Sequence, residues 1–223
     1  IIFLDSDVMA SKGLISAHIE AHRGGRGGAG VGRRSAVGRA TGVLKHVRKQ
    51  AGGAPGSGLI VNGSLVNVED LEAIDRSSLG SRDLSRASFC TANVSVHKQA
   101  LRAAGMFDEE FVEYGWEDLE LGLRLRALGL RVVRSRKALG YHYKPKVGAD
   151  SIAELMEIER QRGHTALVFF KKQPRFTVRL MLMFLLPFFW LDRLLCLERL
   201  AGAHAERALV FAERKGLGFL RRV

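Results

Sequence analysis

Short apolar segments alternate with helix-forming segments along this chain, and the alternation restricts its fold more than any other feature. The spacing predicts helices over residues 97–104 and 117–128, closed by Gly105 and Gly129, because glycine adopts the left-handed conformation that ends a helix. Extended segments are predicted at residues 1–4, at 59–66 as a strand or hairpin, at 87–93, at 130–133 and at 141–143. We therefore expect an α/β domain with a mixed sheet and functional groups at its strand ends.

A first acidic motif follows directly after the apolar residues 1–4. Asp5 and Asp7 lie on the expected turn, where their hard carboxylate oxygens would suit Mg²⁺ or Mn²⁺. A cation held there would neutralise the diphosphate of a departing nucleotide. Paired aspartates also form ordinary turns and helix caps, so the motif alone leaves both interpretations open. His142, at the end of the last predicted strand, is a candidate third ligand if it points towards Asp7, whereas most single histidines are packed or surface residues.

A second acidic motif starts the helix predicted at residues 117–128. Glu117 and Asp118 occupy its first positions, where the helix dipole favours ionised carboxylates that can accept a proton. Helix capping is the structural alternative for the same pair. One turn later, Glu120 is expected to pair with Arg124.

The chain is strongly basic, with a formal net charge of +12, which predicts attraction to nucleic acid, anionic lipid or a nucleotide diphosphate. Much of this charge lies in residues 23–58, a Gly/Arg-rich segment expected to be a flexible loop. The loop resembles disordered RNA-binding segments, but it has no Phe, Tyr or Trp on which a base could stack, so no specific nucleic-acid partner is expected. Cys90 and Cys196 are expected to be reduced thiols in apolar surroundings, which favours a cytoplasmic location.

Beyond residue 148 the pattern becomes entirely helical. The expected organisation is therefore an α/β domain over residues 1–148 and a helical, amphipathic extension over residues 149–223. Residues 176–197 are the most apolar part of the extension, but their uninterrupted run is shorter than the roughly 20 residues that span a bilayer and contains Pro187. We expect this segment to lie on an anionic membrane surface, peripherally at the inner face, with a buried helix or an oligomer contact as the alternative.

Four short motifs follow one another in the chain: Asp5-Ser6-Asp7, Asn93-Val94-Ser95, Gly-Met-Phe-Asp-Glu at residues 105–109 and Gly-Trp-Glu-Asp-Leu-Glu-Leu-Gly-Leu-Arg-Leu at residues 115–125. Their order and spacing resemble glycosyltransferase family 2 of the GT-A fold, over about residues 1–143 apart from the Gly/Arg-rich loop. The resemblance implies that residues 1–148 are the acceptor-side part of a GT-A catalytic domain, with a mixed sheet flanked by helices. It also implies an inverting transfer of a sugar from a nucleotide-sugar donor to a glycan, lipid or other hydroxyl acceptor, with Mn²⁺ or Mg²⁺ as cofactor.

The resemblance assigns a role to each residue of the acidic motifs. Asp7 would bind the metal directly, and Asp5 would contact the metal or the donor ribose. Asp118 would be the general base that deprotonates the acceptor hydroxyl, and Glu117 would help to position the acceptor. The remaining expected site residues are Trp116 and Asn93 at the acceptor and His142 at the metal.

Members of this family normally have a nucleotide-binding half before the Asp-x-Asp strand, and residues 1–223 do not include it. We therefore expect this chain by itself to bind donor poorly and to be inactive. The alternatives are a catalytically inactive family member, a basic nucleic-acid-binding protein and a haloacid-dehalogenase-type phosphatase. The phosphatase interpretation rests on Asp5-Ser6-Asp7-Val8, but Met9 stands where such enzymes usually have Thr or Val, and their later Gly-Asp motif is not found.

Overall fold

The computed structural model of the chain describes residues 1–24, 58–70, 87–144 and 151–195. The chain divides into two compact units, one formed by Ile1–Glu109 with Glu117–Pro145 and the other by Glu110–Trp116 with Lys146–Val223. Most of the predicted Gly/Arg-rich loop, the predicted boundary near residue 148, Cys196 and the end of the helical extension lie outside the described residues.

The described part of the first unit contains a five-stranded mixed sheet and three helices. The strands are β1 Ile2–Leu4, β2 Val8–Ala10, β3 Leu59–Val68, β4 Asn93–Val96 and β5 Arg131–Tyr143, and the helices are α1 Leu14–Gly24, α2 Lys98–Ala103 and α3 Glu117–Ala127. The sheet order is β1-β4-β3-β5-β2, in which β3 and β5 are parallel and the other neighbours antiparallel. The predicted α/β class with a mixed sheet is confirmed, and the architecture is compatible with a GT-A-like fold.

Two of the predicted strands are one. Residues 131–133 and 141–143 belong to β5, which runs for 13 residues and pairs with β3 from Leu59 opposite Arg131 to Val68 opposite Tyr143. Three exposed basic residues in the middle of β5 interrupt the apolar pattern in the sequence: Arg134, Arg136 and Lys137. Arg134 pairs with Asn62 of β3, and the register then shifts so that pairing resumes with Leu139 opposite Ser64. Pairing with β3 on both sides of Arg136 and Lys137 keeps this stretch within one strand, since strand formation depends more on partners than on intrinsic preference.

The segment predicted to be extended at residues 87–93 is irregular over residues 87–90 and then turns at Thr91 and Ala92. The backbone N–H of Asn93 donates to the carbonyl of Cys90 at 3.2 Å, which bends the chain before β4 begins at Asn93. Phe89, just before this turn, is fully buried. The turn therefore holds Thr91 and Ala92 at the edge of the core.

The core of the first unit is shared by the sheet and by helices α2 and α3. Its buried members are Ile60, Phe89, Val94, Val96, Leu101, Ala104, Leu121, Leu125, Leu128 and Leu130. Phe3 packs edge-on against Phe89 and Phe107, with ring centroids 5.6 and 5.7 Å apart. Each fully buried large apolar side chain contributes about 1.5–3 kcal/mol. This core therefore anchors β1 and α3, the two elements that carry the acidic motifs.

A buried ion pair fixes the position of helix α3. Glu120 and Arg124 pair at 2.7 Å with both side chains buried, as predicted, and Arg124 also donates to the carbonyl of Ala104 at the end of α2. Gly122 allows α3 to approach closely, because a Cβ atom there would lie 2.8 Å from the Cβ of Phe89. The Glu-Leu-Gly-Leu-Arg stretch is thus the packing face of the helix.

The described part of the second unit contains helix α4 Ile152–Lys172, helix α5 Phe176–Met181, helix α6 Leu186–Leu195 and the segment 110–116. Segment 110–116 lies along α4: the Trp116 indole N–H donates to the carbonyl of Arg162 at 2.9 Å, and Thr165 donates to the carbonyl of Tyr114 at 3.1 Å. The Trp116 ring stacks on Phe169, with centroids 6.2 Å apart. These contacts therefore hold segment 110–116 on helix α4.

Candidate active site

The Asp5-Ser6-Asp7 turn connects two strands that pair with different neighbours, β1 with β4 and β2 with β5. The backbone N–H of Val8 donates to the carbonyl of Asp5 at 3.1 Å, and that of Tyr143 donates to the carbonyl of Asp7 at 2.9 Å. The turn is therefore held both internally and by the end of β5.

The end of β5 brings His142 against Asp7. The Nε2 atom of His142 lies 3.1 Å from Oδ2 of Asp7, and β2 pairs with β5 so that Val8 is opposite His142. The Asp7 side chain is about half exposed, whereas that of His142 is mostly buried. An accessible carboxylate is thus oriented by a largely enclosed imidazole.

Asp5 lies close enough to Asp7 and His142 for their charges to affect it. The pKa of Asp5 is raised, first by burial and then by the negative charge of Asp7, while His142 and a hydrogen bond from the Thr91 hydroxyl act in the opposite direction. Two neighbouring carboxylates that repel each other form a local excess of negative charge. Such a site attracts a cation.

Asp118 lies in the first turn of α3. Its Oδ1 accepts from the backbone N–H of Leu119 at 2.6 Å, and its carboxylate also accepts from the backbone N–H of Thr91. Burial raises the pKa of Asp118 to about 6, with the charges of Glu117 and, to a smaller extent, Asp5 acting in the same direction. A carboxylate with a pKa near neutral can accept and release a proton under physiological conditions, as general bases do.

Thr91 connects the two acidic motifs. Its hydroxyl donates to Asp5, and its backbone N–H donates to Asp118. Sequence reasoning did not identify Thr91 as a site residue, because its role arises from the turn before β4 and from two partners distant in the chain. The only local feature that could have pointed to a site residue is a threonine midway between Phe89 and Asn93.

Glu117 carries a buried oxygen without a partner. Its Oε2 atom is shielded from solvent and has no hydrogen-bond partner among the described residues. A buried polar atom left unpaired costs free energy of about 1–3 kcal/mol, so a donor from a bound molecule would be favourable there. Glu117 is therefore well suited to hold a hydroxyl group.

Asn93 and Trp116, the two residues expected at the acceptor, make internal contacts. Asn93 is only 3% exposed: its amide donates to the carbonyl of Ala138 at 2.9 Å, and its Oδ1 accepts from His18 at 2.8 Å. Trp116 belongs to the second unit and uses its N–H on the carbonyl of Arg162. Acceptor contact by either residue stays a prediction, and Asn93 has a clear structural role.

The donor groups at the turn suit a hard divalent cation in part. Among the described residues, no three His, Cys, Asp or Glu side chains come together as a ready metal-binding group. Mg²⁺ is commonly held by one or two carboxylates, with substrate phosphates completing its coordination, and Asp7 with Asp5 provides such a set. Metal-bound histidines ordinarily donate from their second ring nitrogen, whereas Nδ1 of His142 is buried without a partner in the described part of the chain. Asp7 thus fits the ligand role better than His142 does.

Comparison with known proteins gives named relatives at low identity, and no protein-family model matches the chain. Over 184 residues, 70% of this chain and 46% of the relative, it is 26% identical to the uncharacterised glycosyltransferase YfnE of Bacillus subtilis strain 168. Over 63 residues, 26% of this chain and 15% of the relative, it is 43% identical to the validoxylamine A glucosyltransferase of Streptomyces hygroscopicus subsp. jinggangensis strain 5008. Over 57 residues, 26% of this chain and 8% of the relative, it is 42% identical to the chondroitin synthase of Escherichia coli.

These names point to glycosyltransferases. Glycosyltransferases are enzymes, and the expected class is supported at this general level. The chain spans less than half the length of the curated relatives it matches.

Proposed function

We propose that this chain is the acceptor-side part of an inverting glycosyltransferase of family 2 with a GT-A fold. The complete enzyme transfers a sugar from a nucleotide-sugar to a hydroxyl group of a glycan, a lipid or another acceptor. The observation that carries the proposal is the buried position of the Asp118 carboxylate in the first turn of α3, close to Thr91 and Asp5, which raises its pKa to about 6. The names of the relatives support the same class.

Asp118 acts as the general base in this reaction. Its carboxylate takes the proton of the acceptor hydroxyl as the acceptor oxygen attacks the anomeric carbon and the bond to the diphosphate breaks. A single displacement of this kind inverts the anomeric configuration. The backbone N–H groups of Leu119 and Thr91 hold the Asp118 carboxylate in a fixed orientation, which limits the loss of freedom at the moment of proton transfer.

Glu117 positions the acceptor beside Asp118. Its unpartnered Oε2 accepts a hydrogen bond from an acceptor hydroxyl, which replaces the hydrogen bond that burial removed. The charge of Glu117 also raises the pKa of Asp118, so the same residue improves the proton affinity of the base.

Asp7 and Asp5 would hold Mn²⁺ or Mg²⁺. A cation bound there would neutralise the charge that develops on the diphosphate leaving group. Asp7 supplies the exposed carboxylate oxygen, His142 orients it at 3.1 Å, and Asp5 adds the second negative charge. Direct coordination by His142 stays a prediction.

The test is a transfer assay on the protein as it occurs in its source, with any sequence that flanks residues 1–223. A panel of nucleotide-sugars with and without Mn²⁺ is screened for thermal stabilisation and for donor hydrolysis, and the responding donor is then used with Asp118→Asn. We expect Asp118→Asn to lose transfer while donor binding, measured by calorimetry, is retained. The control is Glu154→Gln, a substitution that removes one negative charge from an exposed side chain on α4.

Each outcome has a distinct meaning. Equal loss of donor binding and transfer in Asp118→Asn contradicts the base assignment. Failure of every nucleotide-sugar to bind contradicts the proposed function and supports the inactive alternative.

A further inference from the structure

The described part of the second unit exposes several large apolar side chains on helices α5 and α6 and at Met183 between them. The most exposed are Leu194 at 78%, Leu186 at 74% and Trp190 at 72%. The others of this set, which we call the apolar face, are Phe176, Leu180, Met181, Met183, Phe189 and Leu191. Exposed groups of apolar side chains of this size indicate a binding surface, because monomeric soluble proteins rarely leave so many large apolar side chains in contact with water.

Helix α5 already buries one apolar side, and its part of the apolar face is a second, exposed apolar side. Val178 and Leu182 of the α5 region are buried, and Phe184 packs edge-on against Phe170 of α4 at 5.9 Å. A surface helix normally turns polar residues outward once its inner face is buried. Here α5 presents Phe176 and Leu180 outward instead, so the outer face is available for a second apolar environment.

Helix α5 ends in a left-handed turn that separates it from α6. The backbone N–H of Phe184 donates to the carbonyl of Arg179 at 2.7 Å, and Met183 has a φ of 56°, which together form the left-handed ending typical of a helix terminus. Helix α6, with 10 residues, is about 15 Å long, half the thickness of a bilayer core. No helix within the described residues is both long and apolar enough to cross a membrane.

Basic residues border the apolar face. Residues 171–195 contain five Lys or Arg and one Asp. Lys171 and Arg179 are exposed, and the Arg179 guanidinium lies over the ring of Phe170 at 5.1 Å, which holds it at the edge of the face. Exposed Trp and Phe next to Lys and Arg suit the boundary between lipid headgroups and acyl chains.

We propose that the apolar face docks this protein on an anionic membrane surface, with α5 and α6 lying in the plane of the interface. Trp190, Leu194 and Leu186 enter the region between headgroups and acyl chains, and Lys171, Arg175 and Arg179 contact anionic headgroups. The cytoplasmic leaflet is the natural anionic surface, so the protein is peripheral on the inner face of the membrane. This inference is independent of the proposed sugar transfer.

The test is flotation with vesicles of phosphatidylcholine alone or mixed with phosphatidylglycerol. The double variant Trp190→Ser/Leu194→Ser should reduce the partition coefficient on mixed vesicles by about 100-fold, because two inserted side chains are lost. Trp190→Phe should retain binding. The control Ile15→Ser, an exposed apolar residue on α1, should bind like the unmodified protein.

A second pair of variants tests the charge without altering the apolar face. Lys171→Glu/Arg175→Glu should lower the partition coefficient on mixed vesicles by at least about tenfold, whereas binding to pure phosphatidylcholine should change little. The control Lys98→Glu/Lys12→Glu changes the net charge equally on exposed residues of the first unit. Circular dichroism verifies that each variant is folded.

Three results would overturn the inference. The first is unchanged flotation of the Trp190→Ser/Leu194→Ser variant, and the second is equal binding to neutral and mixed vesicles. The third is a dimer in solution that dissociates in the same variant without vesicle binding, which would mean that a second copy covers the face.

Discussion

Replacement of Asp118 by Asn should raise stability and strongly reduce transfer in the same variant. The pKa of Asp118 lies near 6 in the folded chain, against an ordinary value of 3.8. The folded state therefore binds the proton more tightly than the unfolded state does. Stability consequently falls as the pH rises from about 4 to about 6 and stays lower above that range.

The magnitude follows from the difference between the two pKa values. That difference, about 2, corresponds to about 3 kcal/mol at 25 °C, of which about 2–3 kcal/mol should be observable because Asp118 is not fully enclosed. The hydrogen bond from Leu119 does not require the negative charge of this side chain, because the amide oxygen of Asp118→Asn can still accept from the backbone N–H of Leu119. The variant should thus gain stability at about pH 8 and gain almost nothing below about pH 4.

Urea unfolding without metal or donor measures the gain, and the transfer assay measures the loss. We expect transfer to fall by about 10²–10⁴-fold, the usual contribution of a general base. In the unmodified protein, kcat should rise with pH and level off above about 6, since the base acts only when ionised. If Asp118→Asn is no more stable than the unmodified chain at about pH 8, the pKa of Asp118 is not raised and the reasoning fails.

Three further predictions concern the surroundings of Asp118. Thr91→Val should lower stability at neutral pH by about 1–2 kcal/mol in urea unfolding, because Asp5 loses a charge-assisted hydrogen bond, and Thr91→Ser should restore it; equal values for both variants would contradict the contact. Glu120→Gln should cost about 3–5 kcal/mol in the same measurement, since Arg124 is left buried without its partner charge, whereas Glu120→Gln/Arg124→Met should recover much of the loss. Asp7→Asn should remove the Mn²⁺ dependence of donor binding in calorimetry, and unchanged dependence would exclude Asp7 as a ligand.

Local features of the fold could be predicted well from the sequence. Helix α3 follows the expected limits closely, and Gly129 has the left-handed φ of 94° that its position after the helix predicts. The Glu120–Arg124 pair was also predictable, because residues four apart on a helix face each other. These features depend on neighbours in the chain.

Features that depend on distant partners could not be predicted in the same way. The continuous strand β5 requires β3, which pairs with it through the exposed Arg134. The sequence does not signal the end of α5 at Met181, because a methionine, Met183, occupies the left-handed position beyond the helix where glycine is the usual signal. Within residues 176–195 the apolar segment contains two helices, α5 and α6.

Asn93 and Thr91 show why a sequence motif alone does not identify which polar residue near a strand end belongs to the site. Both lie in the short stretch that leads into β4, and Asn93 has the polarity expected of a ligand. Its hydrogen bonds instead go to His18 of α1 and to the carbonyl of Ala138 in β5. They hold the sheet to α1, and the buried Asn93 side chain needs these partners because it is shielded from water. Thr91, less conspicuous in the sequence, remains outside that packing and reaches Asp5 and Asp118 together. A polar residue near a strand end is therefore better assigned by whether the core already uses its hydrogen bonds than by its type.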